Sequence, residues 1–149
     1  MNEYKFYISR LIDKAWEEAT DLEATFEGLH YAKCDGLSNF GKIKNIYTET
    51  YAETSEMRVY IPNKVARGNT DIEFEFVFEG ANRRDTYHSF VEWLSGYRLK
   101  YWDTCRNREL EMILIDSIAP DDDELYGSNP FIRCKFKFKN IKGETTKKV

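Results

Sequence analysis

The sequence is short of the residues that usually announce chemistry. Among 149 residues it has two histidines, three cysteines and three prolines. His30 and His88 stand far apart, and neither belongs to an HExxH pair. No Gly-x-Ser-x-Gly turn and no phosphate-binding loop occur. Gly80 lies between a strand pattern and a helix pattern, as in dinucleotide folds. Ala81, Asn82, Arg83 and Arg84 follow it, so the further glycines that let a backbone approach a pyrophosphate are missing. The acidic run Asp121, Asp122, Asp123, Glu124 fails as a calcium loop, because Leu125 and Tyr126 occupy positions that need an oxygen ligand and a glycine. His88, beside Tyr87, reads as a surface or half-buried residue. No catalytic residue, cofactor or metal ligand is expected, and the chain does not read as an enzyme.

Other absences bound the class. Cys34, Cys105 and Cys134 are odd in number, widely spaced and free of any CxxC, which fits reduced thiols in a cytoplasmic setting. No apolar run approaches the roughly 18 residues of a membrane span. The opening MNEYKFYISRLIDKAW has no signal-peptide pattern. Basic and acidic residues number 22 and 26, so a nucleic-acid site would have to come from a local patch.

What is present is aromatic and alternating. Phe, Tyr and Trp make up 15% of the chain, side chains that suit cores and protein interfaces. One domain over residues 1–149 is expected, with residues 139–149 as a loose tail. In DIEFEFVFEG, residues 71–80, Ile72, Phe74, Phe76 and Phe78 face one way and Glu73, Glu75 and Glu79 the other. This predicts a half-buried strand. At Gly80 the period changes, and Tyr87, Phe90, Val91 and Leu94 predict a helix over 83–95, with Asn82 as N-cap and Gly96 as stop. Residues 97–104 and 108–118 read as a hairpin. Within it MILI, residues 112–115, is apolar on both faces, which predicts a strand that is central or covered on both sides.

FIRCKFKFKN, residues 131–140, predicts a last strand with Ile132, Cys134, Phe136 and Phe138 inward. Arg133, Lys135, Lys137 and Lys139 form its outer row. Residues 119–130 read as a long acidic loop. Earlier in the chain, residues 22–34 are rich in strand formers with a bend at Gly28. Residues 35–42 and 63–70 read as loops. Residues 46–53 and 57–62 read as strands, the second with Met57, Val59 and Ile61 inward and Pro62 at its end. Residues 6–19 fit either a helix over 9–19 or a short strand leading into a turn. The order indicates an α+β fold of antiparallel strands, a small twisted barrel or sandwich with one main helix on its side.

The acidic row of EFEFVFE and the basic row of KFKFKN suit each other as cross-strand partners, within one subunit or between two. That weighs against a nucleic-acid grip on the lysines, because RNA-binding sheets expose aromatics and these phenylalanines face the other way. Arg83 and Arg84 enter the helix at its positive end, where cations are disfavoured. They read either as tolerated surface arginines or as partners for acids on another chain.

The stretches KNIYTETYAE, RVYIP, FVFEGANRRDTYHSFVEWLSG, YWDTCRNRE and YGSNPFIRCKFKFKNIKG resemble small tail proteins of bacteriophages and prophages, especially those of Bacteroides-type bacteria. The order of strand, helix, hairpin and final strand is similar to the tail-tube fold of tube, distal-tail and terminator proteins. The resemblance covers about residues 47–143. It implies a structural protein that forms rings, hexameric in many such proteins, and meets other tail proteins, with DNA passing through as cargo. It implies host cytoplasm during assembly and then the virion tail, with no membrane and no small-molecule substrate. The inter-subunit candidates are Arg83, Arg84, Glu73, Glu75, Lys135 and Lys137, together with Asp121, Asp122 and Asp123 in the 119–130 loop. The competing reading is a small ligand-binding protein or enzyme, with Tyr87, His88, Trp93 and Trp102 lining a pocket between helix and sheet.

Overall fold

The computed structural model describes residues 5–44, 47–50, 57–60 and 64–148. β1 (Phe6–Ile12) turns at Asp13 and Lys14 into β2 (Ala15–Trp16). Both turn residues have positive φ, 50° and 67°. That is the geometry of a two-residue hairpin whose twist matches its strands. The helical reading of residues 9–19 therefore gives way to the strand-and-turn one: Phe6 and Ile8 alternate into the core. β3 (Thr20–Asp21) leads directly into α1 (Leu22–Thr25), where the Asp21 carboxylate accepts from the Ala24 N–H at 3.4 Å. The strand expected from residue 22 thus begins only at β4 (Leu29–Asp35). Gly28 makes the bend between them, with φ 85°, and a Cβ there would lie 2.2 Å from the Glu79 carbonyl oxygen.

β5 (Tyr47–Thr50) and β6 (Met57–Tyr60) pair with each other as a two-stranded ribbon. Val59, expected inward, is exposed; Ile61 and Pro62 lie outside the described residues, as do residues 51–53 of the strand expected over 46–53. The chain then forms β7 (Thr70–Glu79), α2 (Arg83–Leu94), β8 (Leu99–Asp103) and β9 (Arg108–Ile118). It ends with β10 (Glu124–Tyr126), β11 (Asn129–Asn140) and β12 (Thr146–Lys147). The predicted strand, helix, hairpin and final strand are all present. Residues 119–130, expected to be all loop, contain β10, which folds back on the start of β11. The stop of α2 is as expected, Gly96 taking φ 82°. Asn82 occupies the N-cap position without a side-chain cap bond.

The fold is α+β. The strands order as β2-β1-β8-β9-β11-β7-β4, with β3, β10 and β12 added on β1, β11 and β9. Every pairing is antiparallel. The sheet is twisted and does not close into a barrel. Its two ends still approach: Phe6 of β1 packs on Phe76 of β7 and Tyr31 of β4, each with ring centroids 5.6 Å apart. The rolled inner face holds the core of Phe74, Phe76, Phe78, Tyr101, Phe136 and Phe138. Helix α2 lays Tyr87 and Phe90 onto it, with Phe90 edge-on to Phe76 at 5.7 Å and to Phe136 at 5.4 Å. Burying a large apolar side chain contributes about 1.5–3 kcal/mol, so this aromatic layer accounts for much of the fold's cohesion.

In the stretch expected as a loose tail, Asn140 is buried and its side-chain oxygen accepts from the Gly143 N–H at 3.1 Å. Gly143 lets the chain reverse, and β12 then pairs with the start of β9.

Candidate interaction surface

Every second residue of β11 leaves the core, so the four cations come out on one face. Antiparallel register then sets the partners. Lys135 lies opposite Glu75, Lys137 opposite Glu73 and Lys139 opposite Asp71, all on β7. On the other side of β11, Lys137 lies opposite Asp116 of β9. The ion pairs run mostly on the diagonal: Lys135 Nζ is 3.8 Å from Glu73, and Arg133 Nε is 3.7 Å from Glu75. Lys139 pairs with Asp71 directly across. Lys33 of β4 adds a fifth cation on this face, 3.8 Å from Glu75. Adjacent antiparallel strands thus carry opposite charge, the arrangement that stabilises cross-strand pairs. The basic row is met by acids of its own chain, which removes most of the field that would draw a polyanion.

Arg83 and Arg84 also find partners within the chain. The Arg83 guanidinium donates twice to the Asp123 carboxylate, at 2.6 and 3.1 Å, and once to the Gly80 carbonyl at 3.0 Å. Arg84 donates to Asp123 at 3.0 Å and to the carbonyls of Pro120 and Asp121 at 3.1 and 2.9 Å. Forked arginine–carboxylate pairs are geometrically specific. Hydrogen bonding from Arg83 holds the Asp123 carboxyl below its ordinary range, and the same bond raises Arg83. The carboxylate also offsets two cations at the positive end of α2. These contacts fix the 119–123 loop against the helix, while Asp121 and Asp122 remain exposed.

Beyond that loop the surface turns apolar. Ile113, Ile115 and Ile118 are exposed on β9, and Leu125 and Tyr126 on β10 are 69% and 80% exposed. The MILI strand was expected to be central or covered on both sides: β9 is central, between β8 and β11, and the cover on both sides is corrected here. Met112 is buried, but Ile113 and Ile115 face outward. A bulge opposite Lys137 and Phe138 places Ile115 as an extra residue in the ladder. β9 pairs with β8 only over Glu109–Met112. From Ile113 to Ile118 it pairs with β11 alone among the described residues. Its other edge there has no partner strand among the described residues, and β10 continues along the same side of β11. The sequence signal was the apolar run on both faces, which fits an uncovered interface edge as well as a buried strand.

The residues of the pocket reading do not converge. Tyr87 is buried against Phe78 and Phe136. Trp93 packs on Phe26 and Phe90 beneath the Arg10 guanidinium. Trp102 stacks on Tyr7 of β1, with centroids 4.5 Å apart, and His88 is exposed. Burial pushes the thiols of Cys34 and Cys134 up to about 12 each, so neither is a ready nucleophile. Among the described residues no cluster of three or more His, Cys, Asp or Glu could hold a metal ion. No helix among them is long and apolar enough to cross a membrane.

No protein-family model and no curated protein matches the chain. Among solved structures, it is similar to the Dit protein of phage SPP1, described as a paradigm of the hub adsorption apparatus in phages infecting Gram-positive bacteria. The identity is 12%, the TM-score 0.46, and the alignment covers 89% of this chain and 49% of that one. The chain therefore spans about half the length of that protein.

Proposed function

We propose that this chain is a non-enzymatic structural protein of a phage or prophage tail, of Bacteroides type, that assembles with copies of itself. The observation that carries the reading is the β9 edge from Ile113 to Ile118, unpaired among the described residues, with its exposed isoleucines and the Leu125–Tyr126 hairpin beside it. Long uncovered apolar edges are hazards that monomeric proteins blunt with charge, bulges or cover. This edge has a bulge at Ile115 and the charge of Asp116, yet Ile113, Ile115 and Ile118 stay exposed, which fits a protein that joins sheets between subunits. The resemblance of residues 47–143 to small tail proteins supplies the setting. In that setting the assembly is a ring, hexameric in number, which meets other tail proteins and lets DNA pass as cargo. It forms in the bacterial cytoplasm and ends in the virion tail. Asp121 and Asp122 are then free to reach a neighbour, with Arg83, Arg84 and Asp123 holding their loop in place. Glu73, Glu75, Lys135 and Lys137 make the charged face that a neighbouring sheet meets.

The test is mass measurement in solution over a wide concentration range, followed by negative-stain imaging. Ring-shaped particles are expected. A protein that stays monomeric at the highest concentration overturns the reading.

A further inference from the structure

A closed ring of identical chains needs two different surfaces on each copy that fit each other. The β9–β10 edge is one surface. Its apolar residues are accompanied by exposed acids: Asp116, Asp121, Asp122 and Glu124. Its complement lies at the base of the chain segment that carries the ribbon of β5 and β6. Ile43 bridges Arg67 there, with Lys44 N–H donating to the Ala66 carbonyl at 2.9 Å and Gly68 N–H to the Lys42 carbonyl at 2.8 Å. Phe40 and Val65 are exposed, at 64% and 40%, and Lys42, Lys44 and Lys64 are exposed with them.

This base is built rigidly. Gly41 N–H donates to the Gly143 carbonyl at 2.6 Å. A Cβ on Gly41 would lie 1.7 Å, and one on Gly143 1.9 Å, from the Gly68 carbonyl oxygen. Three backbone segments therefore meet at a distance only glycine allows. Arg67 adds to the anchoring through the Gly41 carbonyl at 3.1 Å, Glu144 at 3.8 Å and the face of Phe40 at 4.8 Å. Both surfaces thus stand on fixed backbone, which lowers the ordering cost of docking.

We infer that the basic, apolar ribbon base of one copy docks on the acidic, apolar β9–β10 edge of the next. The inference rests on the self-assembly reading and names its two faces. Apolar area supplies the affinity, and opposite charge sets which faces meet and how fast. A head-to-tail contact of this kind can propagate around a ring, because each copy keeps one face free for the next neighbour.

Charge reversal in the full chain tests it, read by light-scattering mass against concentration. Asp121→Lys with Asp122→Lys cancels the charge of the acidic face, and Lys42→Glu with Lys44→Glu reverses that of the basic one. Each pair of changes should raise the half-assembly concentration at least about tenfold. A chain carrying all four changes should assemble again, as should an equimolar mixture of the two reversed proteins. High salt should weaken assembly of the parent. Recovery in the four-fold variant excludes misfolding as the cause of the loss. If the parent assembles and the reversed proteins assemble equally well, the docking inference fails and self-assembly stands. If loss occurs without recovery, the pairing of these two faces is wrong. If the parent never assembles, both fall.

Discussion

Glu75 of β7 stands in the ladder between Lys33 of β4 and Lys135 of β11, and it is nearly buried by them. Its carboxylate lies 3.8 Å from Lys33 Nζ and 3.7 Å from Arg133 Nε. Cross-strand charge pairs are worth about 0.2–1 kcal/mol each. Glu75→Gln should therefore lower stability by about 0.5–2 kcal/mol. Glu75→Lys should cost more, since it places like charges across both ladders. Urea midpoints for the two variants check the order.

Phe76 touches the rings of Phe6, Phe74, Phe90 and Phe136, with centroids 5.2 to 5.7 Å apart. It joins the two ends of the rolled sheet to the helix. Phe76→Ala should cost about 3–5 kcal/mol, the range for emptying a packed aromatic site. Phe40→Ala, at an exposed position where the Arg67 contact is lost, should cost no more than about 1 kcal/mol. Equal losses at both positions would contradict the placement of the core.

Gly143→Ala tests the glycine junction. It combines a φ of 67° with a Cβ 1.9 Å from the Gly68 carbonyl oxygen. A loss of at least about 1–3 kcal/mol is expected. Gly127→Ala makes the contrast: its φ is 62° but nothing stands within 4 Å of the added Cβ, so it should cost only about 1 kcal/mol. Thermal denaturation of both variants distinguishes a close approach from a turn.

The Asp123 clamp carries a pH signature. The carboxyl sits below its ordinary range in the folded chain because it accepts from Arg83. A depressed carboxyl stabilises the fold above its unfolded pKa, and that stability is lost as pH falls through the folded value. The thermal midpoint of the parent should therefore exceed that of Asp123→Asn near neutrality. The gap should close once pH drops below the usual carboxylate range. A constant gap down to the lowest accessible pH would mean that the clamp is not ionic.

Thiol labelling gives a further check. Cys105 is exposed, Cys134 is buried and Cys34 half-buried, and burial pushes the last two thiols up to about 12. Near pH 8, an alkylating reagent should modify Cys105 first and the other two only after denaturation. Mass spectrometry of the intact chain reads the number of adducts.

Several parts of this molecule were legible as sequence. The alternation of DIEFEFVFEG and FIRCKFKFKN specified strands, their inner faces and their complementary outer charges, because a strand has a period of two and one face must be dry. The change of period at Gly80 located α2. The charge rows marked β7 and β11 as suitable partners, within one subunit or between two, and the register places them side by side within the chain. These are local properties, and residues a few positions apart decide them.

Tertiary structure alone decided the rest. Asp13 and Lys14 carry no strong turn signal, yet pairing of β1 with β8 makes residues 6–12 a strand and forces the chain to reverse there. Asp123 finds Arg83 and Arg84 from about forty positions away, a contact that no periodicity encodes. The MILI run was apolar on both faces, which is equally true of a strand inside a sheet and of a strand whose neighbour belongs to another molecule. Only the start of β8 at Leu99, opposite Met112, leaves Ile113 to Ile118 without a partner on that side among the described residues. An edge is a property of what lies beside a strand, and that neighbour is set by the path of the whole chain.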